Sequence, residues 1–126
     1  MDTTLIIVER GYRGALEQQY AHVLWLARTL HRQAPVALLL RGPAAAYALD
    51  HPAPDPPRLG GHTWGVAADY RETLLRLVEE GAQVLVATAS LARLGGGCHR
   101  LVTGVRTVTE ADIVAAWPAY DRIWFL

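Results

Sequence analysis

The chain has 126 residues, 52% of them hydrophobic and 19% charged, with 12 basic side chains against 12 acidic ones. That length suffices for one domain burying roughly two-thirds of the surface its unfolded chain exposes, and the composition excludes a disordered polymer. The zero net charge gives no long-range field to draw nucleic acid or an anionic membrane.

Leu5 to Val8 is an unbroken aliphatic run followed by Glu9, Arg10 and Gly11, the pattern of a strand buried on both faces and ending in a loop. A helix is expected from Gly14 to Arg32, where Leu16, Tyr20, Val23, Leu24, Ala27 and Leu30 recur at helical spacing and leave Trp25 on the other side. A large aromatic on a nominally polar face suggests a covering neighbour such as a second subunit. Pro35 to Leu40 is the second strand, Gly42-Pro43 a turn, and Ala44 to Leu49 a short helix. Residues 50 to 65, DHPAPDPPRLGGHTWG, hold most of the prolines and are expected to lack regular structure.

Helical spacing returns from Val66 to Glu80, and Gly81 suits its C-terminal end. Gln83 to Val86 is the central strand, Ala87 to Ala89 lies where it runs out, and Ser90 to Leu94 is a short helix before three glycines. Val105 to Val108 forms a fourth strand. Thr109, with Glu110 and Asp112 behind it, starts a helix reaching about Trp117, which Pro118 ends. Arg122 to Leu126 closes the sheet. Strands alternating with helices give a single three-layer α/β/α domain over residues 1 to 126, with a mostly parallel five-stranded sheet.

Cys98 is the only cysteine, which excludes an intrachain disulfide and favours a reducing compartment. No apolar run approaches the roughly 20 residues of a membrane span, and the opening MDTT has no signal-peptide character. The expected location is the cytoplasm, with no membrane and no nucleic-acid partner.

In open α/β sheets, ligands sit beyond the carboxyl ends of strands, so Ala87 to Ser90 is the first place to look for chemistry. Glu9, Arg10, Tyr12 and Arg13 follow the first strand and should lie along the same edge. With the hydroxyls of Thr88 and Ser90 they could line a pocket for a small anion or a nucleotide. Gly95-Gly96-Gly97 lacks the order of a phosphate loop, and Ser90 lacks the glycine context of a hydrolase elbow. His51 and His62 share the proline-rich stretch with Asp50 and Asp55, but their spacing matches no ligand pattern, so no metal and no cofactor is expected. Trp64, Trp117 and Trp124 read as core or interface aromatics.

The order of elements, with the phrases TLIIVERGYRGALEQQYAHVLWLARTL, VALLLRGPAAAYAL, LLRLVEEGAQVLVA and YDRIWFL, resembles the DsrE/DsrF-like superfamily of sulfur-relay proteins, which includes TusB-, TusC- and TusD-type subunits. The resemblance implies a homo-oligomer or a hetero-oligomer with related subunits, and a sulfur-carrier protein as partner. In members that carry persulfide sulfur, the third strand ends in a cysteine. Laying VLVATASLARLG on that pattern puts Ala87 in its place and retains Arg93 and Gly95. The expected role is therefore a binding or structural subunit, with Ala87 to Ser90 as floor and Arg93 as rim. The alternative is a sulfurtransferase using Cys98, whose neighbours His99 and Arg100 could favour the thiolate.

Overall fold

The structure, a computed structural model, describes residues 3–10, 21–50, 58–63, 70–95 and 100–126. Five strands form one parallel sheet: β1 (Thr4–Val8), β2 (Val36–Leu40), β5 (Gln83–Ala87), β6 (Arg106–Val108) and β7 (Arg122–Phe125), in the spatial order β6-β5-β2-β1-β7. β1 and β2 are buried along their whole length, which is why both read as continuous apolar runs and not as alternating ones.

The order of strands decides where the helices go. From β1 the chain steps to β2, to β5 and to β6 in one direction, then returns across the sheet to β7. Parallel crossovers are right-handed, so the three outward steps and the single return step must leave on opposite faces. The cores follow this division. Ile6, Val8, Leu38, Leu40, Val84 and Val86 pack with Leu24 and Ala27 of α1 (Ala21–His31), Leu74 and Leu77 of α2 (Tyr70–Glu79) and Leu91 of α3 (Thr88–Arg93). Leu5, Ile7, Ala37, Leu39 and Leu85 meet Ile113 of α4 (Glu110–Ala116) on the other face. The result is an α/β/α sandwich with one heavy helical layer and one light one.

Local chemistry fixes the element ends. Asp112 N–H donates to Thr109 Oγ1 at 3.1 Å, and Asp112 Oδ2 accepts from Thr109 N–H at 3.3 Å, a reciprocal cap that starts α4 where its residue types suggest. Gly42 to Ala48 winds as a 3₁₀ helix, and a second 3₁₀ turn, Trp117–Ala119, carries Pro118. Arg28 and His31, one turn apart on α1, both hold Glu80: Arg28 through its carboxylate at 2.7 Å and His31 Nε2 through its carbonyl at 2.8 Å.

Two expectations are refined. The stretch expected to lack regular structure contains a two-stranded antiparallel hairpin, β3 (Arg58–Leu59) and β4 (His62–Thr63). Its two-residue loop is Gly60-Gly61, both at positive φ (57° and 76°), the turn that matches strand twist and that glycine adopts without steric cost. The strand expected to end at Val86 includes Ala87, and its helix starts at Thr88. The amino-terminal part of the first expected helix and residues 66–69 of the next lie outside the described residues.

Candidate functional site

A cleft of about 560 Å³ opens beyond the carboxyl ends of β1, β2 and β5, lined by Glu9, Arg10, Arg41, Gly42, Pro43, Ala89, Ser90, Arg93 and Glu110. Its size is within the range of small-ligand sites. Its walls come from the turns after β1 and β2, from α3 after β5 and from the start of α4 after β6, which a parallel sheet gathers at one edge. Arg10, Ser90 and Arg93, three of the residues expected from the sequence, meet here.

The wall between β1 and α4 is an ionic bridge. Arg41 Nη1 donates to Glu9 Oε1 at 3.1 Å, and Arg41 Nη2 forms an ion pair with Glu110 Oε1 at 3.2 Å. The guanidinium is thereby held between two carboxylates that start from distant parts of the chain. Arg10 and Arg93 differ: among the described residues neither has a carboxylate partner. Three guanidinium groups against two carboxylates leave the lining one positive charge in excess.

Ser90 Oγ accepts the backbone N–H of Gly42 at 2.9 Å, in a partly buried position. With that lone pair engaged, the hydroxyl proton is the group Ser90 can offer to a ligand. Thr88 is directed elsewhere, its Oγ1 donating to the carbonyl of Val108 at 3.0 Å. Ala87 is 0% exposed. Val84 and Val86 face the α1–α2 layer and Leu85 the α4 layer, so strand alternation puts the Ala87 side chain on the α4 side. The described lining from α3 is thus Ala89, Ser90 and Arg93, and of the expected floor Ala87 and Thr88 are not part of it. Tyr12, Cys98 and His99 lie outside the described residues.

Arg41 and Glu110 were not anticipated. The usable signal was position, since each directly adjoins an element end, Arg41 after β2 and Glu110 at the start of α4. Among the described residues, no three His, Cys, Asp or Glu side chains gather as a metal site, and no helix is long and apolar enough to cross a membrane.

No family model matches the sequence, and no curated protein matches it. The crystal structure of the YchN protein from E. coli does match, with a TM-score of 0.77 over 100% of both chains. The chain shares that protein's fold. At 18% sequence identity the likeness speaks for architecture alone, and the residues of the cleft must carry any statement about function.

Proposed function

We propose that this chain is a DsrE-like protein of cytoplasmic sulfur metabolism, a single domain without a carrier thiol at the end of its central strand. It serves as a binding subunit, holding a small sulfur-containing anion, or the anionic end of a sulfur carrier, in the strand-end cleft. One observation carries the reading: β5 ends in a fully buried alanine, Ala87, and the cleft beyond the strand ends has cations, Arg10 and Arg93, with no carboxylate partner among the described residues.

The chemistry follows from the groups present. Guanidinium forks make charge-assisted bonds to oxyanions, and the Ser90 hydroxyl adds a directed donor. Arg41, already bridged by Glu9 and Glu110, acts as a fixed wall. An alanine side chain has no lone pair with which to accept sulfur, so capture at this point is non-covalent.

Thermal shift with thiosulfate, sulfite and nucleotides tests the reading. A ligand at 100 times its Kd adds about 2.7 kcal/mol to stability. Thiosulfate or sulfite should raise the Tm of the native protein, and the double variant Arg10→Gln/Arg93→Gln should lose the rise. Stabilisation by nucleotides alone would instead favour a nucleotide-binding module outside sulfur chemistry. No shift with any anion would remove the cleft from the account.

A further inference from the structure

β7 occupies one end of the sheet, so among the described residues no strand lies beside one of its edges. Arg122 N–H donates to Thr3 O at 3.4 Å, Leu126 N–H to Ile7 O at 2.9 Å, and Glu9 N–H to Leu126 O at 3.4 Å. Residues 122, 124 and 126 therefore direct their backbone groups toward β1. Strand alternation sends those of Ile123 and Phe125 outward.

Natural edges are usually blunted by charge, proline or a bulge. The opposite edge, β6, follows that habit with only three residues and with Arg106 and Thr107 exposed. β7 does not. Trp124 is 39% exposed on one face, Phe125 is 59% exposed on the other, and Phe125 lies against Trp117 with ring centroids 6.3 Å apart. Val114, one turn before Trp117, and Leu126 extend the apolar surface. With aromatic side chains able to bury 150–250 Å² each, roughly 400–500 Å² of apolar surface is on offer per copy. Doubled across a two-fold axis, that approaches the ~1,000 Å² a specific interface needs to clear.

We propose that β7 pairs antiparallel with β7 of a second copy of this chain, about a two-fold axis through Trp124. Ile123 then stands opposite Phe125 of the second copy and exchanges both backbone hydrogen bonds with it; by symmetry the pair occurs twice. The two Trp124 residues face one another at a non-hydrogen-bonded position, with Cα atoms about 4.5 Å apart. A second copy is favoured over a charged partner because the surface is apolar and the chain's formal net charge is zero, so two copies do not repel. Pairing β7 with the polar β6 edge would instead build an open filament and leave the aromatic rings uncovered.

The test uses disulfide trapping, since that Cα separation is within bonding range. In a Cys98→Ala background at micromolar concentration, Trp124→Cys should oxidise to a species of twice the 13.8 kDa chain mass. Thr103→Cys, exposed in the turn before β6, should remain at background. Trp124→Lys, which sets like charges face to face, should lower the sedimentation mass of the otherwise native chain while keeping its circular dichroism, and Phe125→Lys should repeat the effect. Cross-linking of Trp124→Cys no faster than Thr103→Cys, or an unchanged mass in both folded lysine variants, would overturn the pairing.

Discussion

The backbone N–H of Gly42 donates to Ser90 Oγ at 2.9 Å, joining the turn after β2 to α3 along the wall of the cleft. Ser90→Ala removes the acceptor and leaves a partly buried N–H unsatisfied, at a cost of about 1–3 kcal/mol. Chemical denaturation should show that loss with an unchanged m-value. The same variant should bind anions more weakly, because the ligand loses its hydroxyl donor. Unaltered stability would mean that water replaces the contact without penalty.

Ala87 and Ser90 are separated by two residues but occupy different environments, one fully buried and the other lining the cleft. In a Cys98→Ala background, a thiol introduced by Ser90→Cys should react with a small maleimide promptly. A thiol introduced by Ala87→Cys should react at least about tenfold more slowly, since it waits for local opening. Equal rates would contradict the burial of the strand end.

His31 serves three elements at once. Its Nδ1 accepts the backbone N–H of Val36 at 3.1 Å, which fixes the proton on Nε2, and Nε2–H donates to the carbonyl of Glu80. His31→Ala cuts the tie between the end of α1, the start of β2 and the end of α2, and should cost about 1–3 kcal/mol. His31→Asn, able to restore only one of the two bonds, should fall between native and alanine. A thermal series of the three proteins checks the ranking.

The Glu80 carboxylate is held below its usual value, first by the hydrogen bond from Arg28 and further by the charges of Arg28 and Arg32. Its folded pKa is depressed, so its contribution is present above the unfolded carboxylate value of about 4.3 and is lost as pH falls through the folded one. The Tm gap between native protein and Glu80→Gln should be steady at neutral pH and close in acid below that value. A gap independent of pH would show that shape, not charge, holds α1 to α2.

Gly104, with φ +90°, would direct a Cβ to within 2.3 Å of Val78 Cγ1. Gly104→Ala therefore meets both a backbone penalty of about 1–2 kcal/mol and a collision with α2. Its Tm should drop by several degrees. A matching Gly104→Ala/Val78→Ala pair should recover the collision part and not the backbone part.

The sequence is informative where one physical constraint dominates. β1, β2 and β5 are legible because strands buried on both faces tolerate little except aliphatic residues. The start of α4 is legible because the Thr109 and Asp112 cap is local. The unequal helical layers were not, since they follow from the return of the chain to β7, which no residue announces. The cleft was half legible: Arg10 and Ser90 could be placed from strand ends, and Arg93 from the family resemblance. The Arg41 bridge depends on Glu9 and Glu110 arriving from 32 residues before it in one case and from the far end of the chain in the other. The Gly60-Gly61 hairpin was masked by the prolines before it, although paired glycines are a known hairpin signal.

Intact mass after incubation of the reduced protein with a persulfide donor tests the central claim most directly. The account predicts an unchanged mass, because the end of β5 offers alanine where sulfur would be held. A reversible gain of one sulfur atom, abolished by Cys98→Ala, would contradict it and make this chain a sulfurtransferase.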